Sequence, residues 1–128
     1  MTYDIIFFMK DEKAFDLELF FSALADRTRL RLLNLMRGGE VCVCFFAETL
    51  GTNNPKISRH LAYLKRAGLV AARREGKWMH YKINEPPNIP AAGVFESTMT
   101  MIAEDPQMQA DNQTLIQICC SPIVQIDR

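Results

Sequence analysis

Hydrophobic residues in the first half of the chain recur every three or four positions, the spacing of a helix with one buried face. The first such stripe consists of Phe15, Leu19, Phe20 and Leu24. Asp26 is suited to cap a second helix, because its carboxylate can accept a hydrogen bond from the first turn, and Gly38-Gly39 should end that helix. A short third helix is predicted through Phe45, Phe46 and Leu50, ending at Gly51.

The fourth predicted helix carries signals at both of its ends. Asn54 can cap it, Pro55 suits its first position and Gly68 suits its end. One face is apolar and consists of Ile57, Leu61 and Leu64. The opposite face and its flanks carry Lys56, Ser58, Arg59, His60, Tyr63 and Arg66. With a turn at residues 51–53, the third and fourth helices form a predicted helix–turn–helix over about residues 43–67.

Residues 70–83 are rich in strand-forming and basic side chains, which predicts a hairpin. Glu75-Gly76 is suited to its tight turn, because glycine readily adopts a positive φ. Near the tip the hairpin carries Arg73, Arg74 and Lys77, and Trp78 is expected in the hairpin core. A helix–turn–helix followed by a basic hairpin is a winged helix arrangement. We therefore predict a mainly α fold with a small β-hairpin, in a single domain over residues 1–128.

The net charge of the chain is zero, but its charges are unevenly distributed. Residues 51–84 contain eight basic residues and one acidic residue, whereas the flanks contain seven basic and fourteen acidic residues. A solvated surface normally mixes the two signs, so this block is typical of a phosphate-binding face. The candidate DNA contacts are Lys56, Ser58, Arg59, His60 and Tyr63 on the helix and Arg73, Arg74 and Lys77 on the hairpin.

These candidates differ in the contacts that their chemistry allows. Arg59 could read guanine with two hydrogen bonds, and the hairpin residues are better suited to the DNA backbone or minor groove. Ser58 and His60 could contact bases or phosphates, or could be ordinary helix surface. Tyr63 could equally be a packing residue.

The length and hydropathy of the chain predict a cytoplasmic protein with no membrane partner. No apolar run approaches the roughly 20 residues that cross a bilayer. The apolar residues 5–9 follow no basic residue and precede no small-residue cleavage site, which does not favour a secretory signal. We interpret that run as a short buried segment or a dimer contact.

The four cysteines form two close pairs, Cys42 with Cys44 and Cys119 with Cys120. In a reducing cytoplasm such pairs favour metal binding or redox chemistry over structural disulfides. Side chains two residues apart on a regular helix point about 200° apart, so Cys42 and Cys44 can bind one ion only if the helix start is extended or is pulled open. The alternative interpretation is that they are small buried hydrophobic residues.

Four segments together resemble the ArsR/SmtB family of metalloregulatory repressors: ALADRTRLRLLNLM, GEVCVCFFAETLG, SRHLAYLKRAGLV and RREGKWMHYKI. The resemblance covers about residues 24–83 and continues more weakly through Asp105-Pro106. It implies a homodimeric winged helix repressor of double-stranded operator DNA. Apolar stripes support dimerisation through terminal helices at about residues 11–24 and 91–119. The Cys-Val-Cys pair is similar to that of the family's arsenic-responsive branch, which implies As(III) as inducer, with Sb(III) as a second inducer, and no organic cofactor.

The chain departs from the arsenic pattern at Ala47, where that branch has a third cysteine. A third thiolate would have to come from Cys119 or Cys120, of the same or the partner protomer. The zinc site of other relatives is expected to be absent, because the last helix has no histidine.

Three alternative functions remain to be weighed, and one of them is a protein-interaction module with no role in DNA binding. The same repressor could sense cadmium, lead or thiol oxidation. A thiol-based enzyme is disfavoured, since the chain has neither the Cys-x-x-Cys spacing nor a nucleotide-binding glycine loop.

Overall fold

A computed structural model describes residues 15–120 of the chain, without the side chain of Cys120. The elements in order are α1 (Leu17–Leu24), α2 (Arg27–Leu35), β1 (Val41–Cys42), α3 (Val43–Leu50), α4 (Asn54–Arg66), β2 (Val70–Glu75), β3 (Trp78–Ile83), α5 (Ile89–Ile102) and α6 (Pro106–Cys120). This confirms the predicted mainly α fold with a helix–turn–helix and a wing. The apolar run at residues 5–9 and the predicted start of the first dimerisation helix, residues 11–14, lie outside the described residues.

The hydrophobic core lies where α2, α3 and α4 pack together. Burying their apolar faces removes hydrocarbon from water, which is the main force holding the three helices together. The fully buried side chains of this centre are Leu32, Leu33, Phe46, Ile57, Leu61 and Leu64. The apolar stripe predicted for the fourth helix is therefore its buried face.

Helix starts follow side-chain caps, with one shift from the prediction, and α2 ends at Leu35 with Met36 as its C-cap, before the predicted Gly38-Gly39. Asp26 accepts a 3.0 Å hydrogen bond from the backbone N–H of Arg29, as expected for the cap of α2. The cap of α4 is Asn53, whose Oδ1 accepts a 2.9 Å bond from the N–H of Lys56, so the assignment of the cap to Asn54 is wrong by one residue. Gly51 ends α3 with φ of 70°, a conformation that glycine adopts without strain.

The wing is part of a three-stranded antiparallel sheet in the order β1-β3-β2. Glu75 pairs with Trp78, so the two-residue turn is Gly76-Lys77 rather than the predicted Glu75-Gly76. Trp78 is 47% exposed, which corrects its predicted place in the hairpin core. Trp78 lies beside the turn, whereas Tyr81, nearer the body, packs edge-on against the ring of Phe46 at 6.4 Å.

Two connections fix the elements around the thiols. The short strand β1 was not predicted; it pairs with β3 and sets Cys42 opposite His80. Helix α6 is held on α2 by Arg31, which donates 2.7 Å and 2.9 Å hydrogen bonds to the two carboxylate oxygens of the buried Asp111. Because α6 also packs on α3, its last turn brings Cys119 beside β1.

No helix within residues 15–120 combines the length and the apolar character that a bilayer crossing requires.

Candidate DNA interface and thiol site

The first half of α4 presents a polar, basic surface to solvent. Lys56, Ser58 and Arg59 are exposed, while Ile57 beneath them is completely buried in the core. The Asn53 cap and Pro55 start the helix at a defined point, so these three side chains leave the body of the protein on one side. This is the geometry that a helix needs in order to enter a DNA groove.

His60 and Tyr63, also predicted on this surface, turn towards α2. His60 Nδ1 lies 3.3 Å from Arg29 Nη1 and 3.7 Å from Asp26 Oδ2. The ring of Tyr63 is covered by the guanidinium of Arg29 at 4.1 Å and approached by that of Arg66 at 4.9 Å. Both side chains therefore help to dock α4 on α2 in this structure.

Burial in this contact lowers the pKa of His60 below its usual value of 6.5. The nearby carboxylate of Asp26 opposes the shift, and the positive charges of Arg29, Lys56 and Arg59 add to it. The neutral imidazole is the form that the α2–α4 contact favours. No local sequence signal indicates this role, since Arg29 lies 31 residues away in the chain.

The three basic residues of the wing have different surroundings. Arg73 donates two 2.7 Å hydrogen bonds to the carboxylate of Glu40 and also lies 3.3 Å from Glu75. Arg74 is exposed, and Lys77 is exposed with its Nζ 5.7 Å from the centre of the Trp78 ring. Arg74 and Lys77 are thus presented to solvent, while Arg73 is engaged by Glu40.

Cys42 and Cys44 lie together, with their Sγ atoms 3.4 Å apart. Cys42 is the last residue of β1 and precedes the first turn of α3, with an extended backbone at φ −72° and ψ 141°. The helix begins only at Val43, so the two side chains escape the opposed directions of a regular helix. Of the two conditions for joint binding of one ion, the extended start is the one observed. A separation of 3.4 Å is too long for a disulfide bond of about 2.05 Å.

Two cavities meet at Cys42. The larger, of about 550 Å³, is lined by both thiols of the pair together with Phe45, Trp78 and His80. The smaller, of about 260 Å³, contains Cys42 and Cys119 but not Cys44. Its remaining lining residues are Glu40, Val41, Phe45, His80 and Leu115. Cys119 therefore adjoins the thiol pair from another side.

A complete metal centre is not preassembled in the part of the chain that the structure describes. Residues 15–120 contain no group of three His, Cys, Asp or Glu side chains arranged to hold a metal ion. The pair Cys42–Cys44 comes together, Cys119 lies at the neighbouring cavity, and the side chain of Cys120 is outside the description. Trp78 and His80 were not predicted near the thiols, because only the pairing of β1 with β3 brings them there.

Residues 26–72 match the family described as "Bacterial regulatory protein, arsR family". The arsenical resistance operon repressor of Escherichia coli is 40% identical over 102 residues, which are 79% of this chain and 86% of that protein. The chain belongs to the arsR family.

Two further relatives place the sequence and the fold within this arsR-family group. The arsenic resistance transcriptional regulator ArsR2 of Pseudomonas putida is 40% identical over 93 residues, 72% of this chain and 78% of the relative. The solution structure of a homodimeric winged helix-turn-helix DNA-binding domain from Mycobacterium bovis is 34% identical, with a TM-score of 0.56 over 69% of this chain and 79% of that one. The protein is a transcriptional regulator with a winged helix fold, not an enzyme.

Proposed function

We propose that this arsR-family protein is a metalloregulatory repressor that leaves its operator DNA when As(III) binds Cys42 and Cys44. The observation that carries the proposal is the 3.4 Å separation of the two Sγ atoms at the start of α3. Two thiols this close can bind one thiophilic ion, and α3 is the first helix of the helix–turn–helix. The relatives are, by their names, an arsenical resistance operon repressor and an arsenic resistance regulator.

Operator binding is supported by the exposed basic surface of α4 and the wing. Neutralising phosphates supplies most of the affinity, and contacts to base edges supply specificity. Arg59 suits bidentate reading of guanine, with Lys56 and Ser58 beside it, and Arg74 and Lys77 suit the backbone. We assign His60, Tyr63 and Arg73 supporting roles, since their side chains contact α2 or Glu40 in the unbound protein.

A homodimer is supported by large apolar side chains left exposed on the terminal helices. Leu17 and Phe21 of α1 are 57% and 49% exposed, and Met101 of α5 is 68% exposed. Large apolar side chains exposed to solvent are typical of an interface, and a two-fold dimer buries the same residues on both protomers. The neighbour from Mycobacterium bovis is homodimeric. Two copies of α4 can then occupy two half-sites of one operator.

The donor set fits arsenic. Trivalent arsenic is thiophilic, and soft thiolates are its preferred ligands. With As(OH)₃, each thiol that binds forms one As–S bond, one As–O bond breaks, and its proton leaves with hydroxide as water. Cys42 and Cys44 supply two bonds, and Cys119 or Cys120 is the candidate for the third. Sb(III) has the same valence and the same donor preference, so it is expected as a second inducer.

The position of the thiols connects ion binding to DNA release. Cys42 pairs across the sheet with His80 of the wing strand β3, and Cys44 lies in the first turn of α3, which packs on α4. An ion held by both sulfurs therefore acts on the wing and the recognition helix together. A differential binding energy of about 3–5 kcal/mol between the two conformations is enough to convert a mostly bound repressor into a mostly free one.

Arsenite titration of the protein–operator complex tests the proposal, with DNA release followed by fluorescence anisotropy. Cys42→Ser and Cys44→Ser should each raise the arsenite concentration for half-release by about tenfold or more, which corresponds to about 1.4 kcal/mol of lost coupling. A Cys42→Ser variant that responds fully would contradict the proposal. If an oxidant releases the DNA and arsenite does not, the thiol pair senses oxidation. If only Cd(II) or Pb(II) releases the DNA, the pair senses those ions.

A further inference from the structure

We infer that the cavity beside Cys42 and Cys44 selects trivalent arsenicals that carry one organic substituent. This inference rests on the proposed function and specifies the chemical class of its inducer. It joins two observations: the paired thiols, 3.4 Å apart, and the aromatic side chains that line a cavity together with both cysteines.

The thiol pair leaves one bond of a trivalent arsenic atom to another group. As(III) forms three bonds, and the thiol pair accounts for two of them. The cavity that Cys42 and Cys44 line is otherwise lined by Phe45, Trp78 and His80, with no third thiol among the described residues around it. Cys119 lines a separate cavity that includes Cys42 but not Cys44. The third substituent of an arsenic atom held by this pair is thus offered an aromatic environment.

The size and chemistry of this cavity suit a methyl or phenyl group. Its volume of about 550 Å³ is ample for a single ring, since an apolar cavity of about 150 Å³ already binds benzene. Moving an organic group from water to a position against Phe45 and Trp78 is favourable. A hydroxyl group on arsenic gains nothing from these rings. Trp78 is 47% exposed, so a ligand here would cover surface that is open to solvent.

The binding step balances without any oxidant or reductant. In R–As(OH)₂ two As–O bonds break and two As–S bonds form, one to each sulfur of the pair. Each thiol proton leaves with a hydroxide as water, and arsenic stays trivalent. The product has all three arsenic valences filled by two sulfurs and one carbon. Inorganic arsenite would keep a hydroxyl group in the same place or need a further thiol from outside this cavity.

The test compares phenylarsine oxide with sodium arsenite on the reduced full-length protein. Trp78 is the only tryptophan of the chain, so its fluorescence reports ligand binding without DNA. DNA release is measured in parallel by anisotropy and referred to the DNA affinity of each variant. Trp78→Ala removes the aromatic wall, and Trp78→Phe is the matched variant that keeps one. Cys119→Ser removes the thiol that lies with Cys42 in the neighbouring cavity.

We expect phenylarsine oxide to release DNA from the native protein at a concentration at least about tenfold below that of arsenite. Trp78→Ala should raise the phenylarsine oxide requirement about tenfold while changing that for arsenite less than about twofold, and Trp78→Phe should restore most of the difference. Cys119→Ser, which removes a candidate third ligand of inorganic arsenic, should raise the phenylarsine oxide requirement less than it raises that for arsenite.

Other outcomes separate the inference from the proposed function. If Trp78→Ala raises the DNA-releasing concentrations of both arsenicals equally, the organic-substituent inference alone is overturned. The same holds if arsenite releases DNA from the native protein at a lower concentration than phenylarsine oxide does. Failure of both arsenicals to release DNA, or full responses from Cys42→Ser and Cys44→Ser, overturns the proposed function and the inference with it.

Discussion

The guanidinium of Arg73 in β2 forms two 2.7 Å hydrogen bonds with the carboxylate of Glu40, the residue immediately before β1. The hydrogen bonds from Arg73 lower the pKa of Glu40, so the carboxylate is charged near neutral pH. Both groups are partly exposed, and such a pair contributes little to stability. It does, however, engage a wing arginine with an acid two residues from Cys42.

Arg73 should therefore contribute less to DNA binding than its neighbour Arg74. Removing a phosphate contact lowers the slope of log affinity against log salt by about one. We expect that loss for Arg74→Ala and Lys77→Ala and a smaller one for Arg73→Ala, because Arg73 must first leave Glu40. Glu40→Gln should make the salt dependence steeper and the operator affinity higher, because it frees the guanidinium of Arg73 for DNA. Operator affinity measured at several salt concentrations tests this. The prediction is contradicted if Arg73→Ala makes the salt dependence less steep by a full unit and Glu40→Gln does not make it steeper.

Features determined by neighbouring residues were predicted well. The Asp26 cap, the glycine that ends α3 and the apolar face of α4 depend on local hydrogen bonds and helical spacing. Two errors in this group are shifts of one residue, at the start of α4 and at the wing turn. Asn53 and Asn54 carry the same cap chemistry, and either residue beside Gly76 could complete the wing turn, so local pattern alone could not distinguish them.

Features that depend on distant partners were not predicted. Strand β1 has two residues and exists because β3, far along the chain, pairs with it. The turn of His60 towards α2 depends on Arg29, and the engagement of Arg73 depends on Glu40. For the thiol pair, the spacing of the two cysteines showed only that they could share one ion if the backbone at Cys42 were extended. Strand β1 satisfies that condition. The parts of the site that the sequence did not predict are thus those that depend on contacts between residues far apart in the chain.

Two arginines of α2 provide a matched test of how α6 is held. Arg31 binds Asp111, whose side chain is 4% exposed, whereas Arg27 binds Asp105 with its own side chain 57% exposed. Removing one partner of a buried ion pair leaves an uncompensated charge and costs about 3–5 kcal/mol, whereas an exposed pair is worth about 0–1 kcal/mol. Chemical denaturation should show a large loss of unfolding free energy for Arg31→Ala and a small one for Arg27→Ala. Equal losses would contradict this account of the α2–α6 contact.

The lowered pKa of His60 predicts the pH dependence of stability. Between the folded pKa and the usual value of 6.5, the unfolded chain binds a proton that the folded protein does not, so stability falls as the pH falls through this window. We expect the native protein to lose unfolding free energy as the pH falls through 6.5 towards the lower folded pKa, and His60→Gln to lose less. His80→Gln controls for removal of the other imidazole of the chain. The same pH dependence in the native protein and His60→Gln would assign the loss to other groups.

The exposed apolar side chains of α1 and α5 predict where a charge should separate the protomers. Phe21 and Met101 are 49% and 68% exposed, and each is expected to lie in the interface of the proposed dimer. An aspartate there would be buried without a partner on both sides of a two-fold axis, which is strongly unfavourable. We expect Phe21→Asp and Met101→Asp to shift the mass measured by analytical ultracentrifugation towards the monomer and to weaken operator binding. For the mass measurement, Trp78→Asp is the matched control, since it places the same charge on an apolar side chain of similar exposure in the wing. If it dissociates the protein as readily as Phe21→Asp does, the interface does not lie on α1 and α5.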